Sequence, residues 1–128
     1  MKKLFLISFL MLAACSVFAR GKSEKDSVLY VMGASISFSD SVVYFTEIQK
    51  LDGVVLENGL MPNRQLYSYD LKEYMSSSEG MPGRISVIFY SEKRKDLEKK
   101  EKNVKKRLET KENMTVRYLG GKFVFTKH

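Results

Sequence analysis

The chain has 128 residues, with 22 Lys+Arg against 15 Asp+Glu and 44% hydrophobic residues. That size and composition fit one domain with a single modest core and exclude a multidomain assembly. Its one cysteine, Cys15, excludes an internal disulfide framework, and its one histidine, His128, leaves little room for imidazole chemistry.

Residues 1–19 concern address. Lys2 and Lys3 precede an almost unbroken apolar run from Leu4 to Ala14, and small residues follow. This is the layout of a bacterial-type secretory signal. Two processing sites compete. Leu12-Ala13-Ala14-Cys15 resembles the lipobox of bacterial lipoproteins, which implies lipidation of Cys15 and a membrane-anchored chain. Val17-Phe18-Ala19 instead fits the small-x-small rule, with cleavage after Ala19 and release of a soluble chain from Arg20. Ser16 to Ala19 stays apolar where a lipoprotein turns into a polar tether, which tilts the balance slightly to Ala19. An uncleaved membrane helix is discounted, because Leu4 to Ala19 falls short of the roughly 20 residues that cross a bilayer. The protein is therefore expected outside the cytoplasm, in the periplasm or associated with the outer membrane of a Gram-negative cell. Removal of the signal leaves a chain without cysteine, hence without a thiolate nucleophile or a cysteine-based metal site.

Residues 20–27 are polar and read as a flexible tether, and 28–128 as one small α+β domain. Asp26-Ser27-Val28-Leu29-Tyr30-Val31 is echoed by Asp40-Ser41-Val42-Val43-Tyr44-Phe45. Both are β-branched and aromatic runs, so both read as strands. Ser35-Ile36-Ser37-Phe38 alternates between them and reads as a strand with one wet face. A hairpin turning at Ser39-Asp40-Ser41 is predicted. Asp-Ser-Val also resembles a short O-glycosylation acceptor, but three residues carry little specificity. Asp52-Gly53 and Asn58-Gly59 mark turns around a brief Val54–Leu56 strand. Leu66 to Met75 has helical spacing, and Ser76 to Gly83 breaks it with a Ser/Gly/Pro connector. Arg84 to Tyr90 reads as the clearest buried strand, Lys93 to Lys111 as a charged helix and Met114 to Leu119 as a strand. Gly120-Gly121 should then turn into a last strand at Lys122–Thr126, completing a terminal hairpin. The predicted fold is α+β, with a small mixed sheet of five to six strands in the order β-β-α-β-α-β-β. Two helices pack on one face, and a signal helix precedes the domain.

Segment 93–111 carries ten basic and four acidic residues. Its charge of +6 exceeds the +5 of the whole chain after Ala19, so the basicity is local. At about 100° per residue, Leu97, Val104 and Leu108 form a narrow apolar stripe, and Lys95, Lys99, Lys102 and Lys106 form a ridge directly opposite. Asp96–Lys100, Glu98–Lys102 and Glu101–Lys105 are spaced as i,i+4 ion pairs. A salt-bridged, solvated helix is one reading of this pattern. The other is a ridge that binds a polyanion such as lipid headgroups, lipopolysaccharide phosphates or an acidic partner. Nucleic acid is not expected, since the ridge lacks interleaved aromatics. Three apolar residues in five turns are too few for a membrane-surface helix, so membrane contact is expected only through a lipid anchor.

Chemical motifs are scarce. No phosphate-cradling glycine loop precedes a helix, and no His/Cys/carboxylate cluster has metal-ligand spacing. No metal or cofactor is expected. His128 reads as a frayed terminus, which removes a Ser-His-Asp triad. Asp70 and Glu73 share a helix face but read as solvated, and a Ser–Lys dyad is left open. Asn113-Met114-Thr115 is a glycosylation sequon out of place behind a bacterial-type signal. In element order alone, Arg84 to Leu119 resembles the second half of peptidoglycan-binding SPOR domains; no residue carries over. The expected function is a non-enzymatic envelope module whose partner is a protein, peptidoglycan or an anionic lipid or glycan. The alternatives are a polyanion binder using segment 93–111 and a small periplasmic hydrolase with a Ser–Lys or carboxylate site.

Overall fold

The computed structural model describes residues 27–128. Cys15, Ala19 and the rest of the signal lie outside them. Five strands and two helices follow in the order β1 (Val28–Ile36), β2 (Val42–Phe45), β3 (Gln49–Asp52), α1 (Arg64–Ser77), β4 (Ile85–Ser91), α2 (Arg94–Thr110) and β5 (Thr115–Tyr118). The architecture is α+β with a mixed sheet.

β1 is the spine. Its apolar residues and its small ones fall on both faces, because Cβ atoms alternate along a strand. Leu29 and Val31 join α1 residues Tyr67, Leu71 and Met75 in one buried cluster. Met32 and Ala34 join Val43, Phe45 and the α2 residue Leu97 in another. The two helices therefore cover opposite faces of the sheet, not one face as predicted. The reason is visible in β1 itself: Leu29 to Ser35 is buried but for Tyr30, so neither face can be left to water. Each large apolar side chain sealed in this way contributes roughly 1.5–3 kcal/mol.

β1 pairs antiparallel with β4 along seven residues, from Tyr30↔Ser91 to Ile36↔Ile85. Its other edge is shared by β2 (Ala34↔Phe45) and β3 (Val31↔Gln49). The register slips by one residue between them, the mark of a bulge. Thr46 manages it: its N–H donates to Gly33 O (2.9 Å), and its Oγ1 accepts from Gly33 N (2.8 Å). β5 lies parallel to β2 on the far side. β4 and β5 thus share a sheet and a direction, with β1 and β2 lying between them.

Several sequence expectations are corrected. Val54–Leu56 is not a strand; β3 forms earlier, at Gln49–Asp52. The wet face of Ser35–Phe38 is inverted, with Ser35 and Ser37 buried and Phe38 89% exposed. The terminal hairpin is absent: Gly120–Lys122 is a 3-10 turn, and no strand follows it. The alternation behind that expectation is real, since Phe123 and Phe125 are buried and Val124 is exposed. The pairing comes from a side chain instead. Gln49 donates Nε2–H to Phe123 O (3.0 Å) and accepts Phe125 N–H at Oε1 (2.6 Å). Asn58-Gly59 does form the predicted tight turn, with φ of 52° and 78° and a Glu57↔Leu60 bridge.

Ser37 is buried against its neighbour, accepting Ser39 N–H at Oγ (3.1 Å) with the Ser39 hydroxyl at 2.8 Å. Arg84 explains the buried Ser35. Only 3% exposed, it donates Nε–H to Ser35 Oγ (2.9 Å) and Nη2–H to Ser35 O (3.1 Å) and Val42 O (2.6 Å). Nη1 meets Asp40 Oδ2 at 3.0 Å, and the guanidinium lies 5.0 Å from the centre of the Tyr44 ring. A buried guanidinium needs such a full set of acceptors. Asp40 also accepts Val42 N–H (3.0 Å), which closes the predicted Ser39–Ser41 turn. That N–H, with Arg84 adding to it, outweighs desolvation and holds the Asp40 carboxyl below its usual range.

Arg84→Ala should cost about 3–5 kcal/mol in urea unfolding, because it orphans buried acceptors. Arg84→Lys should recover little of this, since an ammonium cannot reproduce the fork. Acid should loosen this hairpin as pH falls through the lowered pKa of Asp40, and Asp40→Asn should remove that part of the pH dependence. Gly33 supports a second prediction. A Cβ there would lie 2.6 Å from Leu71 Cδ2, with Phe125 Cζ at 3.2 Å and Ile88 Cδ1 at 3.4 Å. Gly33→Ala should therefore cost about 1–3 kcal/mol, and less in a Leu71→Ala background where that space is open.

Candidate functional site

The segment with the strongest sequence signature is α2, and the structure docks it as the periodicity requires. Leu97 is 1% exposed against the Met32/Phe45 face, with Val104 and Leu108 half-buried beside it. Lys95, Lys99, Lys102 and Lys106 are all exposed, on the side away from the sheet. They recur at i, i+4, i+7 and i+11, so the ridge runs about 16 Å along the helix. Among the described residues none of the four is engaged in an ion pair.

The predicted ion-pair ladder is largely replaced. Arg94 Nε meets Glu98 Oε1 at 3.4 Å. Lys100 Nζ instead lies 5.6 Å from the centre of the Phe89 ring, and Lys105 Nζ 5.4 Å from that of Tyr118. The half-buried ring of Phe89 and the exposed ring of Tyr118 attract the flanking ammonium groups, a contact worth roughly 0.5–1 kcal/mol when exposed. Sequence spacing along one helix cannot show these rings, which come from β4 and β5. The lysines with aromatic partners flank the helix on the sheet side; those of the ridge have none. At the C-terminal end, Asn113 takes a left-handed φ of 53° and Met114 N–H donates to Leu108 O (2.9 Å). The glycosylation-like triplet thus serves to end a helix.

Beside the ridge lies a polar cleft that sequence reading missed. Its walls are Glu47 and Ile48 from the bulge, Arg94, Glu98 and Glu101 from α2, and Tyr118 from β5. Burial pushes the Glu101 carboxyl up, partly offset by the Tyr118 hydroxyl and Lys105. Burial likewise raises the Tyr118 hydroxyl, and Glu101 adds to that shift. Glu98, by contrast, has the Arg94 guanidinium against it. The cleft could not be read from the sequence because Glu47 is brought to α2 only by the bulge at Thr46. No group of three or more His, Cys, Asp or Glu side chains that could hold a metal ion occurs among the described residues.

His128 is not frayed. Its backbone N–H donates to Tyr67 Oη (2.9 Å), its ring stands edge-on to Tyr67 at 4.8 Å, and Nε2 meets Asp70 Oδ2 at 2.5 Å. Asp70 is therefore a partner of the chain's C-terminal segment and not half of a carboxylate dyad with Glu73. Among the described helices, none is long and apolar enough to cross a membrane. Comparison with family models, curated proteins and solved structures finds no match for this chain.

Tyr118→Phe removes the hydroxyl that favours the ionised Glu101. The Glu101 carboxyl should then titrate at still higher pH, read from its side-chain carbonyl by 13C NMR. An unchanged or lowered titration point would show that the two side chains do not meet in solution.

Proposed function

We propose that the protein is an exported, non-enzymatic binding module of the cell envelope, and that α2 is its contact surface for a polyanion. One observation carries this reading. Lys95, Lys99, Lys102 and Lys106 stand exposed in a single row, without ion-pair partners among the described residues, on the face opposite Leu97. A row of ammonium groups outside any ion pair, with Glu98 and Glu101 bordering three of them, attracts a repeating anion such as a phosphate-bearing headgroup layer or glycan, at about 1 kcal/mol per lysine near such a surface. Export rests on the signal-like residues 1–19 and places the domain where such surfaces occur.

Purified protein should bind vesicles containing phosphatidylglycerol and not vesicles of phosphatidylcholine alone. The affinity should fall steeply between 50 and 300 mM salt as the charges are screened (~10 Å Debye length at 0.1 M). Lys95→Glu, Lys99→Glu, Lys102→Glu and Lys106→Glu together should abolish binding while leaving the thermal transition unchanged. Retained binding in this variant, or binding indifferent to salt, would remove the ridge from the reading.

The second reading, a small hydrolase, is favoured by the cleft alone. Glu98 and Glu101 sit in different environments, one against a guanidinium and one partly desolvated, as paired acid and base groups require. Turnover of purified peptidoglycan that disappears in Glu101→Gln would replace the binding reading with this one.

A further inference from the structure

Three strands pair with a single neighbour, and they are not alike: β3 is four residues long and carries Lys50 and Asp52. β5 is four residues long and carries Arg117. β4, ISVIFYS, runs seven residues with no charge, proline or bulge, and pairs only with β1. Natural edges are normally protected against strand addition by those very devices.

The direction of the open groups follows from the register. Gly33 hydrogen-bonds across to Thr46, so odd-numbered β1 residues face β2 and β3, and even-numbered ones face β4. Their β4 partners are Ile85, Val87, Phe89 and Ser91. Ser86, Ile88 and Tyr90 must then point N–H and C=O away from the sheet. Ser86 O does so, accepting the Ser68 hydroxyl of α1 at 2.9 Å. Among the described residues, the outward groups of Ile88 and Tyr90 have no backbone partner.

A groove follows this edge, between β4 (Ser86, Val87, Ile88) and the flank of α1 (Arg64, Gln65, Ser68). On its floor the Ser86 hydroxyl is buried without a hydrogen-bond partner. Ile85 and Val87, whose side chains lie on the other face, are left 46% and 37% exposed because no strand flanks them. Exposed Arg64 lines the helix side of the groove, and exposed Lys72, two turns further along the same flank of α1, extends that basic side beyond Ser68.

We propose that this groove takes an extended, acidic segment of another protein, which adds to β4 as a sixth strand and places its carboxylates against Arg64 and Lys72. The added backbone completes the ladder at Ser86, Ile88 and Tyr90, and its alternate side chains fill the groove. Charge selects this occupant over a second copy of the chain. Two β4 edges paired antiparallel would put both α1 helices on the same face and bring their cations together without an acidic partner. The site is independent of the ridge, which belongs to the other helix and the other face.

The test uses the full chain after Ala19 and two capped octapeptides, one alternating valine with glutamate and one valine with lysine. Amide hydrogen exchange by NMR reads the result residue by residue. The glutamate peptide should slow exchange at Ile88 and Tyr90 at least tenfold, and the lysine peptide should not. Arg64→Glu with Lys72→Glu, both at exposed positions, should reverse that preference. Protection confined to α2 would show that the peptide merely finds the ridge, and would overturn the proposal. So would no protection with either peptide, or protection of β4 without peptide in a sedimenting dimer, which would make the occupant a second copy.

Discussion

A strand with no face to spare governs this structure. β1 is nearly sealed from Leu29 to Ser35, and every other element is arranged around that requirement. β4 takes one edge, and β2 and β3 divide the other. α1 and α2 must then go to opposite faces, because a strand carrying Leu29 and Val31 on one side and Met32 and Ala34 on the other is stable only when both sides are dry. Gly33 lets α1 come close enough to do this, and Thr46 lets the opposite edge change register at the same level of the strand. The end of β1 is the one part of the spine that is polar inside, and there Arg84 replaces hydrophobic packing with a hydrogen-bonded fork.

Much of this was legible, and the failures have a pattern. Periodicity located the hairpin at Ser39–Ser41, both helices, the Arg84–Tyr90 strand and β5. It also placed Leu97 inward and Lys95, Lys99, Lys102 and Lys106 outward on α2. These are local properties, set by neighbours within a turn or two. Most of what was missed depends on distant partners. Ser35 and Ser37 read as solvent-facing because a polar side chain usually is; a guanidinium 49 residues away makes the burial of Ser35 favourable, and Ser39 satisfies Ser37. The Phe123–Phe125 alternation read as a strand because alternation cannot tell a backbone partner from the amide of Gln49. His128 read as frayed because nothing near it in sequence shows Tyr67 and Asp70.

The candidate surfaces divide along the same line. The ridge is a property of one helix and was visible from spacing alone. The cleft at Glu47, Glu101 and Tyr118 and the groove at Ser68 and Ser86 join elements that only the fold brings together. A sheet with one helix on each face has two unlike sides, and its basic helix and its unprotected edge do not overlap.

The way Phe123 and Phe125 are held has a bearing on when the domain can form. They pack in the same cluster as Leu29 and Leu71, and Phe125 approaches Gly33 across 92 residues of chain. Contacts so remote in sequence close late, since the loop entropy must be met before the contact forms. During synthesis the α1 face therefore stays open until residues beyond 120 have left the ribosome. β1 is thus made early and sealed late, and the α1 face gains its rigid core only when Phe123 and Phe125 are in place.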